Sequence, residues 1–177
     1  MTSHRLRRII LILFHLMLLV TPFFFTWVNE ELFEFPKMLL TYGFTILIAA
    51  LWLGRMILEK KLLIQKTVFD WALIVFILSQ VAATIFSIHF RTSIFGYYTR
   101  FHGGLLSTLT YFVLFYAFIN NVKKEELFSL WLTTFIAVLG VSLYGILEHF
   151  GHSLSCSLIT GQFDVACWVQ DVKNRVF

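Results

Sequence analysis

Ser87-Ile-His-Phe-Arg-Thr-Ser-Ile-Phe-Gly-Tyr-Tyr-Thr-Arg-Phe-His-Gly-Gly104 is the one long stretch of this chain that mixes cations, histidines, aromatics and glycines. It lies between two strongly apolar runs, 68–86 and 105–119. A polar insert flanked in this way reads as a loop joining two membrane helices, held at one face of a bilayer, where Arg91 and Arg100 can meet an anionic headgroup. The rest of the chain repeats the pattern. Apolar runs also cover 9–25, 38–53 and 127–147, separated by short polar segments. A helix needs about 20 residues to cross a hydrocarbon core of roughly 30 Å, and the run 38–53 is long enough once its flanks are counted.

Composition supports the same class. The chain is 59% hydrophobic and 14% charged, and 21 of its 177 residues are Phe. A soluble domain of this size cannot hide so much apolar surface, since any folded protein leaves much of its side-chain area exposed. The expected fold is therefore all-α: a polytopic membrane bundle of about five helices in one membrane domain, without a soluble domain, internal repeats or low-complexity segments. The basic residues gather on no single polar module, which argues against nucleic acid as a partner. Two cysteines make neither a disulfide-rich scaffold nor zinc-type spacing, and no metal or other cofactor is implied.

The formal charge of +4 is informative through its placement. With the first residues in the cytoplasm, the inner segments hold Arg5, Arg7, Arg8, Arg55, Lys60, Lys61, Lys66, Lys123 and Lys124, nine of the 14 Lys and Arg residues. The outer segments hold Lys37, Arg91, Arg100, Lys173 and Arg175. The positive-inside bias favours this orientation, which puts the loop 87–104 and the tail 148–177 outside the cytoplasm. The basic start before 9–25 looks like a signal peptide, but Val20-Thr-Pro-Phe stands where a small-residue cleavage site is needed, so this run is read as a retained first helix. Pro22 should end or kink it, followed by a polar loop bearing Glu30, Glu31 and Glu34. Trp27, Trp52, Trp71 and Trp131 lie near run ends, where indoles favour the interface.

Each candidate site residue has a functional and a plain reading. Arg91 and Arg100, with Tyr97 and Tyr98 between them, present planar forks suited to phosphate oxygens. The plain alternative, favoured by spacing alone, is that they snorkel to ordinary headgroups. Gly96, Gly103 and Gly104 would permit tight turns or close approach of the backbone to a ligand. His89 and His102 flank the arginines and could act as bases or proton shuttles, although interfacial hydrogen bonding is the commoner role. Glu148, His149 and His152 supply too few ligands for a metal, and Gly151 should end the helix between them. His15, within a span, is read as a bond to a neighbouring helix. Asp70 is read as a helix N-terminal acid favoured by the dipole. Cys156 and Cys167 both fall in the outer tail, where a disulfide between them can persist if the compartment is oxidising, the alternative being two free thiols.

The string Thr92-Ser-Ile-Phe-Gly-Tyr-Tyr-Thr-Arg-Phe-His-Gly-Gly-Leu-Leu-Ser107, preceded by Ser79-Gln80 and Thr84-Ile-Phe-Ser87, resembles the first large outer loop of bacterial O-antigen ligase and polymerase related proteins. Tyr144-Gly-Ile-Leu-Glu-His-Phe-Gly151 and Gln170-Asp-Val-Lys-Asn-Arg-Val-Phe177 are similar to later stretches of that family. The resemblance implies a multi-pass glycosyltransferase of the bacterial cytoplasmic (inner) membrane, acting in lipopolysaccharide or other surface glycan assembly. It would move a glycan from an undecaprenyl diphosphate carrier to an acceptor glycolipid, polymer or protein, with no nucleotide sugar and no metal. In the family, outer arginines hold the diphosphate and a histidine activates the acceptor hydroxyl. That histidine lies in a later outer loop and maps onto none of His89, His102, His149 or His152. The 177 residues are therefore expected to correspond to the amino-terminal portion only and, by themselves, not to catalyse transfer. Two other classes stay open: a small transporter or channel subunit, and a non-catalytic membrane scaffold.

Overall fold

The computed structural model describes residues 2–26 and 34–163. Among them every regular element is helical: α1 (Ser3–Val20), α2 (Glu34–Glu59), α3 (Asp70–Ile85), α4 (Phe90–Phe95), α5 (Leu105–Asn121), α6 (Lys124–His149) and α7 (Leu154–Thr160). Three stretches are long and apolar enough to cross a membrane: Ser3–Phe23, Glu34–Glu59 and Lys124–His149. Helices α3 and α5 are apolar but shorter. The boundaries follow local chemistry. Pro22 sits in a 3-10 turn (Thr21–Phe23) directly after α1, where its missing N–H and fixed φ stop regular helix. Pro36 is tolerated in the first turn of α2, where no intrahelical N–H bond is lost, so the polar segment before the second run already helical at Glu34 is shorter than its composition implies.

The chain divides into two compact units, 1–133 and 134–177. In the first, α1 packs on α2, α2 on α5, and α3 on α5, with α4 against both α3 and α5. Ile10 and Phe14 of α1, Ile48 and Trp52 of α2, Ala117 of α5 and Leu130 of α6 form its buried core. Ala117, fully buried, is the small residue that lets the backbones close up, and the Phe14 and Phe118 rings meet edge to face at 5.5 Å. Trp52 departs from the expected interfacial position: it is 9% exposed within this core, because a helix running on to Glu59 puts it well short of the end. Trp71 and Trp131 are largely exposed, and Trp27 lies outside the described residues. Ile46, Ile57, Val75, Phe128 and Phe135 project outward from the long helices, a surface suited to hydrocarbon and not to water.

His15 bonds across to α6: Nδ1 lies 2.7 Å from Thr133 Oγ1 and Nε2 lies 3.1 Å from Ser129 Oγ. Both ring nitrogens are thus engaged in a helix–helix contact, as its sequence reading expected. Asp70 opens α3 as expected, accepting from Thr67 N at 3.0 Å and from Tyr116 Oη at 2.7 Å.

In the second unit, α6 ends at His149 and Gly151 takes φ +85°, so Glu148 and His152 share no helix face. Ser153 caps α7, accepting from Cys156 N at 3.3 Å. Gly161, at φ +74°, closes the helix. Cys156 is fully buried, while Cys167 lies outside the described residues, as does the 170–177 stretch.

Candidate functional site: the loop between α3 and α5

Ser87 begins the loop by receiving His89 N at 3.2 Å and Ser93 Oγ at 2.6 Å, which fastens the start of α4. Gly96 then turns the chain at φ +82°, and Tyr97 N donates to His102 O at 3.1 Å. The hairpin-like return this creates is tight at its base. A Cβ on Gly96 would lie 2.0 Å from His102 O, and one on Gly104 would lie 2.4 Å from Gly96 N and 2.5 Å from Ile94 O. These two glycines therefore serve the approach of one backbone strand of the loop to the other. Of the two uses the sequence allowed, a tight turn or approach to a ligand, Gly96 and Gly104 serve the first.

Phe101 is the pivot. Its φ of +54° is costly for a residue with a Cβ, and three partners hold it there. Tyr42 Oη of α2 donates to its carbonyl at 2.7 Å, and its ring meets Phe35 at 5.3 Å and Phe95 at 5.9 Å. Around this anchor the candidate residues fall into two groups. Arg91 and Tyr98, with Thr92, Phe95, Gly96 and Phe101, line a small cleft of about 110 Å³, room for a few water-sized groups. Arg100 and His102 instead turn to the N-terminus of α2, where Glu34 Oε2 lies 3.0 Å from Arg100 Nε and 3.6 Å from His102 Nε2. Tyr97 and Tyr98 are exposed at 69% and 84%. His89 is exposed too and makes no ion pair among the described residues.

Glu34, Tyr42 and Phe101 are parts of this site that sequence reasoning did not single out. An acid just before Pro36 marks a helix start, which was a usable signal for the position of Glu34. Its pairing with Arg100 had none, because the two meet only after α2 and α5 have packed.

At the opposite end of the same unit the charges are fastened more closely. Arg7 Nη1 donates to both carboxylate oxygens of Glu126 at 2.7 and 2.8 Å and to Asn121 O at 3.3 Å. Arg55 donates to Glu59 Oε1 at 2.9 Å, to Asn121 Oδ1 at 2.9 Å and to Asn120 O at 3.3 Å. Ser3 Oγ also donates to Glu59. Two guanidinium groups thereby cap the C-terminal carbonyls of α5, where the helix dipole favours positive charge. Gln65 N closes the 60–69 connection onto Asn120 Oδ1 at 2.7 Å. No residue of this clasp drew attention in the sequence except as one of the cations counted for orientation.

Comparison of the chain with family models, with curated proteins and with solved structures finds no match.

Proposed function

We propose that the chain carries the membrane helices and first outer loop of a glycosyltransferase or ligase of the O-antigen ligase and polymerase type. In this reading five helices, α1, α2, α3, α5 and α6, cross the bacterial cytoplasmic membrane, with the N-terminus in the cytoplasm. The alternation of directions supports it: Arg7, Glu59, Asp70, Asn121 and Glu126 lie at one end of the first unit, and Glu34 and Phe101 at the other. The loop 87–104 then faces outward and binds the diphosphate of an undecaprenyl diphosphate-linked glycan. The acceptor would be a glycolipid, a growing polymer or a protein.

The observation that carries this reading is the presentation of Arg91, Arg100 and His102 on a backbone held by glycine contacts and the Phe101 anchor, with the cationic groups accessible. Charge-assisted bonds from guanidinium to phosphate are among the stronger polar interactions a protein makes. Undecaprenyl diphosphate should bind the purified chain in detergent, and Arg100→Ala should weaken binding about tenfold or more. Equal affinity in the two proteins would overturn the assignment of Arg100. For orientation, Ser93→Cys and Thr99→Cys should react with an impermeant maleimide added to intact cells. Reaction only after permeabilisation would reverse the topology and remove the glycan-carrier proposal with it.

A further inference from the structure

Glu34 occupies the place that an anionic ligand of Arg100 would take. Its Oε2 faces both Arg100 Nε and His102 Nε2, at 3.0 and 3.6 Å, and it receives no aligned hydrogen bond among the described residues. The side chains of Glu34, Arg100 and His102 are 44%, 49% and 46% exposed, so the pair sits at the surface and can change partners at little cost, although Oε2 itself is covered. Its position is nevertheless maintained, since the neighbouring Phe35 ring packs on Phe101 and Tyr42 of the same helix bonds the Phe101 carbonyl.

We infer that Glu34 is a specificity residue that keeps the phosphodiester headgroups of bulk anionic lipid off Arg100 and admits a terminal diphosphate. The inference rests on the reading of this loop as a diphosphate site. A lipid phosphodiester brings one negative charge, so displacing Glu34 exchanges one ion pair for another of the same kind, with little gain. A terminal diphosphate brings further charge and more acceptor oxygens, with His102 beside Arg100 and Arg91 elsewhere on the same loop, and so offsets the displacement. Bulk lipid is by far the more abundant species in a bilayer. A residue that weakens a singly charged headgroup more than a terminal diphosphate therefore decides whether the site is filled by lipid or left for the rarer ligand.

The test uses the full chain in nanodiscs, with farnesyl diphosphate as the soluble probe. Two membranes are compared, neutral phosphatidylcholine and a mixture rich in phosphatidylglycerol. The parent should bind the probe with similar affinity in both. Glu34→Gln should bind about threefold to tenfold more tightly in the neutral membrane, in keeping with loss of an exposed competing ion pair. In the phosphatidylglycerol membrane it should lose that advantage and fall to or below the parent. Glu34→Asn serves as a second neutral variant should the first not fold. In Glu34→Gln/Arg100→Gln the added sensitivity to phosphatidylglycerol should vanish. If the parent binds but phosphatidylglycerol affects parent and neutral variants alike, the role of Glu34 is overturned and the diphosphate site stands. If neither parent nor variants bind the probe in either membrane, both are overturned.

Discussion

The two ends of the first unit treat arginine in opposite ways. At one end Arg7 and Arg55 are mostly buried, with side chains 12% and 15% exposed, and each serves both a carboxylate and the last carbonyls of α5. At the other end Arg100 is 49% exposed and meets one carboxylate oxygen, while Arg91 pairs with no carboxylate among the described residues. A partly buried guanidinium that bonds both a carboxylate and a helix-end carbonyl is costly to disturb, because several partners lose a bond at once. A half-exposed one can change partners at little cost. The first arrangement ties helices together, and the second leaves a cation ready for exchange. The backbone beneath the second is nonetheless closely packed, since a Cβ on Gly96 or Gly104 would meet backbone atoms of the same loop.

The sharpest way to break this contrast is at that backbone. Gly104→Ala places a Cβ against the Gly96 and Ile94 backbone and should cost about 3 kcal/mol or abolish the loop fold, read as a fall in the thermal midpoint in detergent and new protease cleavage between 87 and 104. Next comes the clasp. Arg7→Ala removes the guanidinium from Glu126, which keeps its bond from Lys123 N, and from the Asn121 carbonyl, and should destabilise by about 2 kcal/mol in the same melting assay. An unchanged midpoint would remove the distinction between the two ends. His15→Ala deletes two interhelical bonds and should cost about 0.6 kcal/mol for each, in line with polar contacts between membrane helices. The smallest effect on stability is expected from Arg100→Ala, within about 0.5 kcal/mol, even though it is the substitution expected to weaken diphosphate binding most. A destabilisation by Arg100→Ala as large as that of Arg7→Ala would mean that both ends are structural.

Much of this architecture was legible in the sequence because its signals are local. Apolar runs separated by polar inserts gave the helices, Pro22 gave the end of α1, Gly151 marked the end of α6, and His15 and Asp70 did what their positions implied. Span limits were less visible. Helix α2 extends past its apolar run to Glu34 and Glu59, since charged residues can continue a helix once its ends find partners such as Ser3 and Arg55. The short α4 within the loop has too little periodicity to stand out. The glycines were read as permitting either a tight turn or close approach to a ligand, and only the fold shows the turn at Gly96 and Gly104, because a sequence records that the backbone can come close, and not what it comes close to.

From the order of residues alone, the helical class, the apolar character and the placing of Arg91, Arg100, His89 and His102 in one loop were already determined, since each depends on composition and short-range spacing. Only the folded chain decided that Glu34 sits on Arg100, that Phe101 is held in a left-handed turn by Tyr42, and that Arg7 and Arg55 converge on the end of α5. Those pairings join residues far apart along the chain, and their energies depend on distance and burial, which exist only after the helices have packed.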